Sequence, residues 1–230
     1  MTTSGSTDFS VSTSNILRDA ALLINVIDSE SDLTPKESAD AQRMLNMLVK
    51  QWQTKVELWP TKDVQHTLTP GTESYTVGTG GDITTARPLR LISCRREDSD
   101  GVEVEIEVTT RQEYKSLPQK STQAPPNMVY YDPQLTNGVL YVWPTGDTSN
   151  KILNLTFQRP IEDFDAGANT PDLPAEWYLP LVYNLGMLLG PQFGVTVSQD
   201  IVAQARTYLE ELEGWDTEEG SLFFEPGRVY

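Results

Sequence analysis

The stretch YTVGTGGDITTARPLRL, residues 75–91, places three glycines within four positions and follows them with an acid and two arginines. Such a segment either cradles a phosphate group or makes a tight turn between strands. A phosphate-binding P-loop carries Lys and then Ser or Thr directly after its last glycine, and Asp82-Ile83 stands there instead. A dinucleotide-binding motif opens a helix, whereas Pro88 and the alternating leucines after it indicate an extended chain. We therefore interpret 78–82 as a turn or β-bulge, where glycine adopts positive φ at little cost, and expect no bound cofactor.

The segment GVEVEIEV, residues 101–108, alternates apolar and acidic side chains. This period of two indicates a half-buried strand with its acids toward solvent. The apolar face is expected to consist of Val102, Val104, Ile106 and Val108. Asp100-Gly101 in front of the strand is a hairpin signal, which pairs it with PLRLISCRR, residues 88–96.

Three further segments have the composition of strands: NMVYYD, GVLYVWP and KILNLTFQRP, which begin at residues 127, 138 and 151. Asn137-Gly138 is expected to turn the first of them into the second. The sequence therefore predicts a small antiparallel β module over 63–158.

Helical periodicity flanks this module on both sides. Apolar residues recur at helical spacing from Ser14, and Thr34-Pro35-Lys36-Glu37 restarts the pattern as a capping box. A helical hairpin is thus predicted over 14–56. The apolar residues 174–189 predict a core helix, and a last helix is expected to open at Ser198 and to end at Gly214.

Composition narrows the functional class. The chain has 230 residues with a formal charge of −16, which disfavours tight contact with free nucleic acid because phosphate binding needs a basic surface. The single cysteine fits a reducing compartment. Residues 1–14 carry no basic and apolar leader pattern, so we expect no secretory signal. The longest apolar run, 177–190, is shorter than the roughly 20 residues of a membrane span, so no membrane contact is expected.

Catalytic and metal-binding patterns are weak, and no catalytic or metal-binding residue is predicted. The chain has one histidine, His66, and one cysteine, Cys94, without a G-x-S-x-G nucleophile elbow or an H-E-x-x-H zinc motif. Carboxylates are plentiful at 103–107 and 210–213, and both groups are expected on solvated faces. A hydrolase that uses two carboxylates remains an alternative, since sequence does not reveal an acid in an apolar pocket.

The C-terminal segment WDTEEGSLFFEPGRVY, residues 215–230, shows neither helical nor strand periodicity but carries apolar anchors in an acidic context. We expect it to be mobile in the free protein and to dock in a groove of a partner. The anchors are Leu222, Phe223, Phe224, Val229 and Tyr230.

Taken together, the chain resembles the head-to-tail adaptor proteins, or tail accessory and head completion proteins, of short-tailed (podovirus) bacteriophages. Three segments carry the resemblance: ADAQRMLNMLVKQWQTKVELW at 39–59, LTPGTESYTVGTGGDITTARPLRL at 68–91 and LPAEWYLPLVYNLGMLLGPQFG at 173–194. They are spread over residues 14–213, the part of the chain to which the resemblance extends.

The resemblance implies a structural protein of the virion, made in the host cytoplasm, that forms a ring of about twelve copies under the portal. Such a ring seals the packaged DNA and offers an attachment surface to the tail or nozzle protein. The C-terminal anchors are then expected to bind the portal, and the DNA to pass a channel that does not hold it. The family offers no catalytic motif to transfer.

A ring of strongly acidic subunits needs local charge complementarity at its interfaces. The candidate interface cations are Arg87, Arg90, Arg95, Arg96 and Arg111. Two alternatives to the adaptor stay open at this point: a carboxylate-dependent hydrolase of cell-wall glycan, and a monomeric domain that binds a host component.

The predicted fold class is α+β: a helical bundle from the N- and C-terminal helices with an inserted antiparallel β module and an extended tail. The predicted organisation is a mobile N-terminus at 1–13, a helical adaptor domain formed by 14–59 and 174–213, a β module with its loop at 60–173, and a docking tail at 214–230.

Overall fold

The computed structural model describes residues 3–55, 60–147 and 150–215. The chain divides into a helical unit, formed by 1–58 and 161–230, and a β module, formed by 59–160. The described residues contain five α-helices and seven strands, so the fold is mixed α and β as predicted. The helices are α1 (Thr13–Leu23), α2 (Pro35–Lys55), α3 (Arg111–Ser116), α4 (Tyr178–Phe193) and α5 (Gln199–Trp215).

In the helical unit, α4 packs against α1, α2 and α5. Its sequence is apolar on most sides, as expected of a helix that is surrounded by others. The indole rings of Trp52 and Trp177 meet with 5.8 Å between their centres, and both are buried. Buried Asn184 donates from Nδ2 to the carbonyl oxygen of Ala205 at 3.0 Å, which ties α4 to α5.

Helix starts follow the sequence signals closely. The Thr34 N–H donates to the Glu37 carboxylate, and the Glu37 N–H donates to the Thr34 hydroxyl, so the predicted capping box is confirmed. Ser198 accepts from the Ile201 N–H at the start of α5. Within the described ranges, no helix combines the length and the apolarity that a membrane crossing needs.

The β module is one seven-stranded sheet with the order β1-β7-β3-β4-β5-β6-β2. Its strands are β1 (Thr61–Thr67), β2 (Ser74–Val77), β3 (Arg90–Asp98), β4 (Glu103–Val108), β5 (Met128–Asp132), β6 (Gly138–Trp143) and β7 (Asn150–Gln158). Both predicted hairpins are present, because β3 pairs with β4 and β5 pairs with β6 in antiparallel register. One apolar face of the curled sheet forms a second core, which includes Ile83, Cys94, Leu140, Leu155 and Phe157.

Two features of the module correct the sequence-based prediction. The sheet is not wholly antiparallel, since β4 and β5 run parallel over two residue pairs. The reason is α3, which was not predicted and forms part of the connection between these strands. Its capping box joins Thr110 to Glu113, so the pattern Thr-x-x-Glu was present in the sequence and could have indicated a helix.

The apolar face predicted for β4 is also partly wrong. Ile106 is buried against Cys94 and Val104 is half-buried, but Val102 is 53% exposed and Val108 is exposed too. Val102 precedes β4 and Val108 is its last residue, and Val108 is exposed although it pairs with Val129 of β5. Alternation sets the face of a residue but does not fix how far the neighbouring elements extend over it.

The domain boundaries drawn from the sequence stay a prediction. In the structure, residues 3–12 form no regular element, and residues 161–173 contact the helices rather than the sheet.

Candidate assembly surfaces

The glycine segment is a turn that is closed by its own hydrogen bonds. The Gly78 N–H donates to the Ile83 carbonyl oxygen, and the Ile83 N–H donates to the Thr76 carbonyl oxygen at 2.9 Å. The Asp82 carboxylate accepts from both the N–H and the hydroxyl of Thr76, which lowers the pKa of Asp82. These donors are therefore committed to the protein, and a carboxylate stands where a phosphate cradle would need positive charge.

Since Thr76 lies in β2, an outer strand of the sheet, the turn also covers the free edge of that strand. An uncovered edge is a template for pairing with other chains. The glycine turn is thus a structural device that blocks one end of the sheet.

The tip of the β5–β6 hairpin lies beside this turn. A Cβ atom on Gly78 would come within 2.3 Å of Asn137 Oδ1, and one on Gly138 within 2.2 Å of the Tyr131 hydroxyl oxygen. The Tyr131 hydroxyl in turn donates to the Pro88 carbonyl oxygen at 2.9 Å in a buried position. Glycine at these sites allows the two turns to touch, and the hairpin tip is braced as a result. Leu135 at this tip is 95% exposed.

Two of the five predicted interface cations already have carboxylate partners in the same chain. Arg95 pairs with Glu103 at 3.1 Å across β3 and β4. Arg96 lies 3.3 Å from Asp98 and donates to the Pro126 carbonyl oxygen at 2.9 Å. Successive residues of a strand point to opposite faces, so these two arginines do not form one patch.

The other three lie at separate places. Arg87 is half-buried in the segment before β3, near Tyr131, whose pKa burial raises to about 12 while Arg87 opposes that shift. Arg90 is exposed at the first position of β3, and Arg111 is exposed at the first position of α3. Whether any of the five contacts a neighbouring subunit stays a prediction.

The predicted portal anchors lie outside the described residues. This applies to Leu222, Phe223, Phe224, Val229 and Tyr230 alike.

The negative charge is distributed unevenly between the two units. The helical unit carries seven lysines and arginines against 21 aspartates and glutamates, a formal −14. The β module carries ten lysines and arginines against 12 aspartates and glutamates, a formal charge of −2. Nearly all of the net charge of −16 therefore belongs to the helices and their connections, a partition that the total charge does not reveal.

Part of this acidity lies on a loop, residues 161–173, that a row of polar side chains on α2 holds in place. Asn46 Oδ1 accepts from the Phe164 N–H at 2.9 Å, and Asn46 Nδ2 donates to the Phe164 carbonyl oxygen. Lys50 Nζ donates to the Ile161 carbonyl oxygen at 2.6 Å and pairs with Asp163. Buried Phe164 and Ile161 supply the apolar half of this attachment.

The far end of the same loop is bound to the first turn of α1. The Thr13 N–H donates to the Asn169 carbonyl oxygen at 2.8 Å, and the Ser14 N–H donates to the Gly167 carbonyl oxygen at 2.8 Å. An exposed acidic segment is thereby fixed on the helical unit at both ends. The spacing of Asn46 and Lys50, one helical turn apart, was visible in the sequence, but their partner was not.

The carboxylates that the hydrolase alternative would use lie at exposed positions in the described part of the chain. Glu103, Glu105 and Glu107 are exposed, as are Glu210 and Glu211. Each described carboxyl group whose pKa departs from its ordinary value has that pKa lowered by hydrogen bonds, the opposite of what a general acid requires. The described residues also contain no cluster of three or more potential metal ligands.

The polar groups described above close turns, attach a loop and form exposed surfaces, and the comparison with protein families gives the class of the protein. The model of the family described as SU10 adaptor protein matches residues 12–221, which include both units. The chain therefore belongs to this family of phage head–tail adaptor proteins, and the resemblance drawn from the sequence is confirmed. Membership implies a structural role in the virion and association with portal and tail components. Comparison with curated proteins gives no match.

Proposed function

We propose that this chain is the structural connector between head and tail of a phage virion, that it assembles as a ring of about twelve copies under the portal, and that the ring seals the packaged DNA and attaches the tail. The observation that carries the proposal is the family match over 12–221, because it spans the helical unit and the β module together. The mechanism is assembly, so each function follows from which surface meets which partner.

The partition of charge supports a specific arrangement around DNA. The helical unit holds −14 of the net −16, so it is the part that repels a phosphate backbone most strongly. A channel lined by this unit would let DNA pass without adhesion. Screening limits such repulsion to about 8 Å at physiological ionic strength, which is enough for a wall that DNA passes closely.

Three further parts of the proposal start from the sequence. The C-terminal segment beyond α5 docks on the portal through its apolar anchors, whose burial offsets the entropy lost on docking. The arginines of the β module, among which Arg90 and Arg111 are exposed, contribute to subunit contacts. The β module, with its near-neutral charge, is the side that receives the tail or nozzle protein.

The decisive experiment mixes the purified chain with a portal ring and determines the structure of the complex by cryo-electron microscopy. We expect a closed ring of the chain on one face of the portal. A chain that stays monomeric beside the portal would favour a host-binding domain and would overturn the proposal.

A truncated chain that lacks 216–230, and so keeps all of α5, tests the anchor separately. We expect it to keep its fold, measured by circular dichroism, and to lose portal binding. Replacement of Leu222, Phe223 and Phe224 by Ser in the full chain is the matched control, since it removes the apolar contacts alone. Portal binding of unchanged affinity in both variants would place the anchor elsewhere.

A further inference from the structure

The curled sheet of the β module closes where β1 meets β2, and side chains make this contact. The two strands stand at opposite ends of the strand order, so no hydrogen-bonded ladder joins them in the described part of the sheet. His66 of β1 instead lies edge-on against the ring of Tyr75 of β2, with 4.5 Å between the ring centres. Local opening begins where few backbone hydrogen bonds must break. The contact between β1 and β2 can therefore open while the ladders beside it stay intact.

Apolar burial holds this contact together when the imidazole is neutral. Tyr75 and Leu68 are buried in the core of the sheet, and Val64 of β1 packs against the same core. The Tyr75 hydroxyl accepts from the Thr69 N–H at 2.9 Å and donates to the Thr69 carbonyl oxygen at 3.2 Å. Opening would expose apolar surface and release this backbone anchor, so the neutral form of His66 favours the closed sheet.

Protonation changes this balance because the ring lacks an acceptor. His66 Nε2 is buried and has no hydrogen-bond partner among the described residues. A protonated imidazole donates from both ring nitrogens, so the closed sheet would hold an N–H of a charged ring without an acceptor. A buried charge of this kind costs more than a buried neutral group. Water reaches the ring in the open sheet, and the charged form therefore favours opening.

The charged groups around the ring do not replace the missing acceptor. Asp82 of the glycine turn attracts the imidazolium, but its carboxylate already accepts two hydrogen bonds from β2. On the other side, His66 is paired with Leu153 of β7, which is buried. One strand further, Leu153 is paired with Arg96, whose side chain lies beside Asp98. Burial lowers the pKa of His66 and Asp82 opposes that shift to a smaller extent, so the closed sheet favours the neutral ring.

We propose that His66 is a pH-sensitive switch whose protonation opens the contact between β1 and β2 while the rest of the sheet stays paired. The switch belongs to the β module and does not depend on the ring of the proposed function. Opening uncovers Tyr75 and the outer edge of β1, and an uncovered strand edge pairs readily with other chains. Acid pH therefore changes the surface that the module offers to a partner.

Hydrogen exchange followed by mass spectrometry tests the local opening, with times corrected for the pH dependence of intrinsic amide exchange. An exposed imidazole titrates near pH 6.5, so the opening equilibrium should rise by up to about 10-fold between pH 7.5 and 5.5. We expect faster exchange in peptides over 66–75, where the Thr69 N–H loses its acceptor, and unchanged exchange over 90–98 and 103–108. Equal acceleration in all strands, or none over 66–75, would overturn the proposal.

His66→Phe is the matched variant, because it keeps an aromatic ring against Tyr75 and takes up no proton. Corrected exchange over 66–75 should then be the same at both pH values. Acceleration as large as in the unmodified chain would assign the opening to another group and would overturn the switch.

A second measurement needs no variant. His66 is the only histidine of the chain, so its ring gives one set of signals in a proton NMR titration. We expect a midpoint below that of the urea-unfolded chain, and loss of the nuclear Overhauser contact with Tyr75 as the ring becomes protonated. A contact that persists in the protonated protein would overturn the proposal.

Discussion

The imidazole of His66 in β1 lies edge-on against the ring of Tyr75 in β2, with 4.5 Å between the ring centres. β1 and β2 stand at opposite ends of the strand order, so this contact joins the two edges of the curled sheet. The Tyr75 hydroxyl is fixed by the backbone of Thr69, to which it donates and from which it accepts. His66 Nε2 is buried and has no hydrogen-bond partner among the described residues. This contact between β1 and β2 therefore favours the neutral form of the imidazole.

The buried position of His66 makes the free energy of unfolding depend on pH. Burial lowers the pKa of His66 below its ordinary value of 6.5, and the attraction of Asp82 opposes that shift to a smaller extent. The unfolded chain then takes up the proton at a higher pH than the native one does. The stability contributed by the neutral ring is present above pH 6.5 and is lost as the pH falls through that value toward the lower pKa of the folded state. We expect a lower urea midpoint at pH 5.5 than at pH 7.5.

His66→Phe is the matched variant, because it keeps an edge-on ring against Tyr75 and removes the titrating group. Its midpoint should change less between the two pH values. Carboxylates with lowered pKa, such as Asp82, stay ionised throughout this window. An equal loss of midpoint in the variant would show that groups other than His66 titrate.

The single thiol is expected to report on unfolding. Cys94 is fully buried between Ile106 and Leu155 on the neighbouring strands, and burial raises its pKa to about 12. A thiol reacts as the thiolate, so the native protein should react with Ellman's reagent at pH 8 far more slowly than the urea-unfolded protein. Rapid labelling of one thiol per chain without denaturant would contradict the buried position.

The pairing of β3, which carries Cys94, with β4 shows how far the sequence predicts the β module. Alternation in 101–108 and the Asp-Gly signal predicted that β3 and β4 pair, because period and turn chemistry are local properties of the chain. The exposure of Val108 was not predicted, since it depends on which other elements pack over the face of β4 at that end. The contact of His66 with Tyr75 was equally out of reach, because it follows from the curl of the whole sheet.

Attachment of the acidic loop to α2 should contribute strongly to the stability of the helical unit. In Asn46→Ala, the N–H of Phe164 loses its acceptor in a part-buried position. An unsatisfied buried donor costs about 1–3 kcal/mol, so we expect the free energy of unfolding to fall by about that amount in chemical denaturation. Asn15→Ala on the exposed side of α1 is the control and should change it by less than about 0.5 kcal/mol. Equal effects of the two substitutions would contradict the role of Asn46.

The candidate assembly surfaces were less predictable than the fold. The glycine turn was interpreted correctly, because a P-loop needs specific residues that are missing. The five arginines were chosen for their charge alone, and the intrachain partners of Arg95 and Arg96 depend on the register of β3 with β4, which sequence does not give. The exposure of Leu135 was not predicted from the sequence, since an apolar residue beside a turn is equally typical of a strand end.

Association of the subunits is expected to strengthen as salt rises. Every subunit carries −16, so added salt reduces the mutual repulsion, and the screening length falls from about 10 Å at 0.1 M to about 3 Å at 1 M. Sedimentation at increasing NaCl concentration should show a growing fraction of assembled protein. Contacts dominated by opposite charges would give the reverse trend.

Neutralising variants locate the repulsion. Glu210→Gln/Glu211→Gln removes two exposed charges from the helical unit, and Glu105→Gln/Glu107→Gln removes two from the β module. Since the helical unit holds −14 of the charge, the first pair should flatten the salt dependence more than the second. For the same reason the free chain should not shift duplex DNA in a gel at about 50 mM salt, where phosphate contacts are strongest. DNA binding that weakens steeply with salt would reveal a basic surface that faces the channel, and the repulsive channel would then be wrong.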